Sequence, residues 1–110
     1  MKRPHQILLD LSGIIDAETL HEYLSKKLNL PSYYGFNFDA FEECINDTEL
    51  NIMPKILILE GLEALGKYLP NEYKILISCF KDYEAEYQDQ TLIIYRQNSP
   101  SGQGIEFENE

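Results

Sequence analysis

Three short runs of this chain are apolar at almost every interior position, and few folds can accommodate all three. They are Gln6-Ile7-Leu8-Leu9-Asp10-Leu11, Lys55-Ile56-Leu57-Ile58-Leu59-Glu60 and Thr91-Leu92-Ile93-Ile94-Tyr95-Arg96. A strand with one face in water alternates apolar and polar side chains, because successive side chains point to opposite faces. These runs do not alternate, so each is expected to be covered on both sides, as strands of parallel sheets are. Each successive pair is separated by two helical patterns. The expected fold is α/β, a three-stranded parallel sheet packed by about four helices.

The helices announce their ends. Asp16 can cap a first helix whose Leu20, Tyr23, Leu24 and Leu28 recur at helical spacing and which must stop before Pro31. The loop Ser32-Tyr33-Tyr34-Gly35-Phe36-Asn37 follows, with Gly35 free to take a positive φ. Asn37 is the expected cap of a second helix from about Phe38 to about Asn46. Phe38, Phe41 and Ile45 form its apolar stripe, and Asp39, Glu42, Glu43 and Asn46 its other face. Gly61 to Leu69 suggests a short helix closed by Pro70, and Asn71 the cap of a longer one that buries Leu76, Phe80, Tyr83 and Tyr87. With 110 residues the chain has the size of one domain. That domain is expected over residues 1–96, with residues 97–110 as a flexible extension. Gln97 to Gly104 is linker-like, and Ile105 to Glu108 alternates like an edge strand but reads more simply as a frayed tail.

Composition narrows the function. A hydrophobic content of 44% suits a folded protein. No apolar run approaches the ~18 residues of a membrane span, and no secretory leader is recognisable, so a cytoplasmic protein is expected. Nine basic against 19 acidic residues leave a net charge of −10. Such a field repels nucleic acid and membrane surfaces and attracts basic partners. Cys44 and Cys79 form no C-x-x-C pair and read as reduced, buried thiols rather than a metal or redox site.

Signals for catalysis are sparse. His5 and His21 are the only side chains that titrate near neutrality unperturbed, and both read as solvated: His5 at the chain start, His21 on a charged helix face. Asp10 and Glu60 sit near the C-terminal ends of expected strands, where open α/β sheets place their sites. Together they could hold Mg²⁺ in an enzyme. The simpler reading is that they face solvent or accept backbone donors. No cofactor is implied.

The second helix is the exception to this blandness. Between Tyr33 and Asn51 stand five acids (Asp39, Glu42, Glu43, Asp47 and Glu49) and no lysine or arginine. Asp39 and Glu43, Asp39 and Glu42, and Glu43 and Asp47 are three or four apart, so like charges adjoin. Each such pair costs about 0.2–0.5 kcal/mol in an exposed helix. Asp39 recovers part of this by lying in the first turn, where the helix dipole favours an anion. A solvated face usually mixes signs, and one that does not is a candidate for specification by a partner. Tyr33, Tyr34 and Phe36 adjoin it, and so short a loop cannot easily bury all three. Leu30 to Ile45 is therefore expected to be a protein-binding surface.

At these residues, Leu30-Pro31-Ser32-Tyr33-Tyr34-Gly35-Phe36-Asn37-Phe38-Asp39-Ala40-Phe41 with Cys44 following, the chain resembles the barstar family of intracellular ribonuclease inhibitors. The preceding helix, Leu20 to Leu28, matches as well. The resemblance implies no catalytic activity, a monomer when free, and a basic ribonuclease as partner, its active site blocked by the loop and second helix. Carried over, Tyr33 would pack on the nuclease and Gly35 and Asn37 would make polar contacts. Asp39 would meet basic groups, Glu43 would take the place of the family's central aspartate, and Asp82 that of a peripheral glutamate. Glu42 stands where the family has tryptophan, and Asp47-Thr48 where it has Gly-Trp; both belong to the expected contact surface. The other reading is a barstar-like interaction or immunity module whose partner is not a ribonuclease.

Overall fold

The computed structural model describes residues 4–99; of the extension expected at 97–110, residues 100–110 lie outside them. The elements run β1 (Gln6–Asp10), α1 (Ala17–Leu28), α2 (Phe38–Asn46), β2 (Ile56–Glu60), α3 (Leu62–Tyr68), α4 (Pro70–Glu86) and β3 (Leu92–Tyr95). The strands form one parallel sheet in the order β1-β2-β3, with Leu8 opposite Ile58 and Ile58 opposite Ile94. The central strand is the one most completely covered: Leu57 and Leu59 are fully buried and Ile58 nearly so. This is the α/β architecture that the unbroken apolar runs require. None of the described helices is long and apolar enough to cross a membrane.

Local chemistry sets the helix ends. The Asp16 carboxylate accepts from the Thr19 N–H at 2.7 Å and opens α1. Asn29, in the left-handed region at φ 55°, closes it, with Lys26 and Lys27 in the last turn complementing the dipole. Helix α4 begins two residues earlier than expected. Leu69, not Asn71, is its cap, and Pro70 opens it, since a residue without an N–H loses nothing in the first turn and its fixed φ suits the helix. Leu69 alone separates α3 from α4.

Two expectations about backbone and burial are corrected. Gly35 does not adopt a positive φ; its neighbour Phe36 does, at φ 55°. His21 is not solvated. It is 5% exposed, with its Nδ1 against the Tyr34 hydroxyl and Phe38 edge-on to its ring at 4.6 Å. The apolar stripe of α1 is one position wider than Leu20, Leu24 and Leu28 suggest, because loop and α2 aromatics close over it.

The C-terminal ends of the strands hold a tight junction. Gly61 takes φ 73°, and a Cβ there would lie 2.6 Å from the Ser12 backbone nitrogen, so only glycine fits. The first three N–H groups around the start of α3, from Gly61, Leu62 and Glu63, donate to the carbonyls of Asn98, Arg96 and Gln97. Part of the stretch read as linker-like thus caps a helix. Asp10 accepts from Ser12 N–H and from the Ser12 and Ser99 hydroxyls. Glu60 does not face solvent: it is fully buried and meets the Arg96 guanidinium at 2.8 Å. The two acids considered for a metal are thus engaged by protein donors. No group of three or more His, Cys, Asp or Glu side chains among the described residues is placed to hold a metal ion.

Candidate functional site

Helix α2 is presented to solvent by packing on its opposite face. Phe41 is fully buried and meets Phe80 of α4 edge-on, ring centroids 5.7 Å apart. Cys44 and Ile45 are buried beside it. With that face fixed, Asp39, Glu42 and Glu43 have only water to face, and all are exposed.

The N-terminus of α2 is built by Asn37. Its side-chain oxygen accepts from Ala40 N–H at 2.8 Å, and its amide nitrogen donates to the Gly35 carbonyl at 3.1 Å. One side chain therefore caps the helix and ties down the loop before it. The loop is pinned from below by Tyr34, 7% exposed and bonded to His21. Burial pushes the Tyr34 hydroxyl pKa well up, keeping it a neutral partner. Burial lowers that of His21, against a smaller opposing pull from Glu72. Above this anchor Tyr33 is 74% exposed and Phe36 44%. The loop thus buries one aromatic and offers two.

Of the eight residues expected to bind a partner, six fall into two groups, and Gly35 and Asn37 stand apart from both. Tyr33, Glu43 and Asp47 line one cleft of about 360 Å³ together with Cys44 and Leu50. Glu42, Asp82 and Asp39 act together on the buried Cys79 thiol. Burial first, and then these three carboxylates, push its pKa up to about 11. Asp82 lies on α4, two residues beyond the Phe80 ring that packs on Phe41 of α2. The Cys44 thiol is likewise raised by burial, then by Asp47 and Glu43. Both cysteines are free and buried. Gly35 and Asn37 stand exposed at the mouth of the helix.

Among the described residues, Asp39, Glu42, Glu43, Asp47 and Asp82 take part in no ion pair; the pairs present are Lys81–Glu84 and Arg96–Glu60. Asp47 has a structural duty as well. Its carboxylate accepts from the Glu49 and Leu50 N–H groups at 2.9 and 3.3 Å and shapes the turn leaving α2. An anion at that end opposes the helix dipole. The others remain uncompensated carboxylates on a rigid support, suited to a cationic cleft. Leu50 and His21 lie beside these residues and escaped sequence reading. Leu50 carries no periodic signal, and the role of His21 depends on the loop's path.

A family model described as barstar (barnase inhibitor) matches residues 4–96. The chain is also similar to the Bacillus subtilis (strain 168) protein named "Putative ribonuclease inhibitor YrdF". The two are 29% identical over 89 residues, which cover 81% of this chain and 96% of that protein. With the family model matching nearly the whole described chain, and the parallel sheet and capped α2 in place, the chain belongs to the barstar family.

Proposed function

We propose that this chain is a non-catalytic cytoplasmic inhibitor that blocks the active site of a basic ribonuclease with α2 and the loop before it. The observation that carries the reading is the uncompensated carboxylate face of α2 beside the exposed Tyr33 ring. A ribonuclease cleft is lined with cations that hold substrate phosphates. In this reading Glu43 takes the centre of that cleft, and Asp39 and Asp82 meet cations on one side of it. Tyr33, Gly35, Asn37, Glu42 and Asp47 make the surrounding contacts. The described residues expose 6530 Å², of which a standard interface takes about 800 Å² per partner. Loop and helix supply an area of that order. Family membership and the inhibitor name of the Bacillus relative support the same reading.

The test is a titration of a basic ribonuclease from the host. RNA cleavage should fall to baseline at one equivalent of the chain, while Asp39→Ala/Glu43→Ala should leave the nuclease active. Equal inhibition by the double variant would show that α2 is not the blocking element. Stable binding to a host protein without ribonuclease activity, with no effect on any nuclease, would favour an interaction module instead.

A further inference from the structure

A second cleft, sharing no lining residue with the one at Glu43, adjoins the loop. Its volume is about 470 Å³, and Ala17, Glu18, His21, Phe36, Phe38, Glu72 and Ile75 contribute to it, with Asn37 at the rim shared with α2. Its floor is apolar and aromatic: Phe36 and His21 lie near-parallel at 6.4 Å, and Phe38 stands edge-on to His21. Ile75 is 45% exposed on the α4 wall. The two charged groups in the lining are carboxylates, Glu18 from the first turn of α1 and Glu72 from the first turn of α4. Neither pairs with a cation among the described residues.

The placement of Phe36 is costly. A bulky residue at φ 55° lies in a disfavoured left-handed conformation, and its ring gives up much of its burial by remaining 44% exposed. The left-handed turn brings the ring over the cleft. An aromatic plane with methylene-sized apolar walls and two carboxylates matches one side chain in particular. The planar guanidinium of arginine stacks on rings, its stem packs on apolar surface, and its N–H fork pairs with carboxylates. A lysine ammonium would gain less from the ring and is more strongly hydrated. His21 donates or accepts through Nδ1 to Tyr34 and has no partner for Nε2 among the described residues, which leaves that nitrogen for the occupant or its water.

We propose that this cleft is an arginine-binding subsite that extends the nuclease-facing surface past Asn37 and takes a peripheral arginine of the partner. The subsite rests on the reading of loop and α2 as the face turned to a basic protein, and it adds a contact outside the cleft that Glu43 lines.

The probe is Nα-acetyl-arginine amide, titrated into the isotopically labelled full chain and followed by amide chemical shifts, with the uncharged isostere Nα-acetyl-citrulline amide as control. Arginine should give saturable shifts centred on Glu18, Phe36, Glu72 and Ile75, and citrulline should not. Glu72→Gln should weaken the arginine response about fivefold, as expected for loss of a charge-assisted hydrogen bond. Phe36→Gly, which suits the left-handed backbone and keeps the loop folded, should abolish the saturable component. Shifts confined to Asp39, Glu42 and Glu43, equal responses to citrulline, or no saturation would each overturn the subsite. The nuclease titration is independent of this readout. A filled cleft with an uninhibited nuclease would reject the proposed function alone, and an inhibited nuclease with an empty cleft would reject the subsite alone.

Discussion

Asp39 and Glu43 lie four residues apart on an exposed face, where their repulsion works against the helix that carries them. The cost of a like pair, about 0.2–0.5 kcal/mol, is offset at Asp39 by its place near the positive end of the helix dipole, worth about 0.3–1 kcal/mol. Replacing both with alanine should therefore change unfolding free energy by less than about 1 kcal/mol, as urea denaturation would show. Binding losses of a larger size would then belong to the interface and not to folding. His21 behaves differently. Its pKa in the fold lies below the ordinary 6.5, chiefly through burial, so the folded state favours the neutral ring and the unfolded state binds more protons. Its contribution is complete above about pH 6.5 and is lost as pH falls through the folded value. Unfolding midpoints measured between pH 7.5 and 5 should decline in the wild type. They should decline less in His21→Gln, which starts less stable. Asp10 acts in a lower window. Burial alone would raise its pKa, but hydrogen bonds from Ser99 and Ser12 outweigh that and hold it below 3.8. Its contribution is present above about pH 4 and is lost only in stronger acid.

Elements show which features were legible from sequence and which were not. The span Phe38–Asn46 and its Asn37 cap were readable because a short polar side chain, a helical apolar stripe and a loop glycine coincide within a few residues. The three strands were readable because unbroken apolar runs admit few placements. The start of α4 was misread, since Pro70 and Asn71 both satisfy first-turn rules and only the single-residue Leu69 joint decides between them. The φ of Gly35 and the burial of His21 were misread for a common reason. The loop's path is set by the Tyr34–His21 contact, between residues on different elements, and no local propensity encodes it. Glu42, Glu43 and Asp47 were legible as exposed acids, whereas the shared influence of Asp82, Asp39 and Glu42 on the Cys79 thiol depends on the packing of α4 on α2 through Phe80 and Phe41. Asn37→Ala should cost about 1 kcal/mol of stability through the lost cap. The same change frees the Gly35 carbonyl and loosens the turn that holds Asp39. Dissociation from a ribonuclease, followed by stopped flow, should accelerate more than the stability loss alone explains.

The whole molecule adds a long-range field to these local contacts. A net charge of −10 on a chain with few basic residues draws a cationic partner from beyond contact distance. Raising ionic strength from about 0.01 to 1 M shortens the screening length from about 30 to 3 Å. Association with a basic nuclease should slow by one or more orders of magnitude over that range while dissociation changes little. A partner held by apolar contacts alone would show no such asymmetry. Stability has its own global dependency at the sheet's C-terminal end, where Gly61 meets Ser12. Gly61→Ala places a Cβ 2.6–2.8 Å from Ser12 backbone and side-chain atoms in a conformation that alanine resists. A loss of more than about 2 kcal/mol is expected in thermal or urea unfolding, a large share of what a small domain possesses. The same junction gives the chain a direction in time. The carbonyls of residues 96–98 finish the start of α3, and Ser99 reaches back to Asp10 at the end of the first strand. On the ribosome, β1, α1 and α2 emerge early, but this closure must wait until Ser99 has cleared the exit tunnel. Until then the start of α3 lacks its carbonyl partners and Asp10 lacks its Ser99 donor, so the C-terminal end of the sheet is sealed late in synthesis.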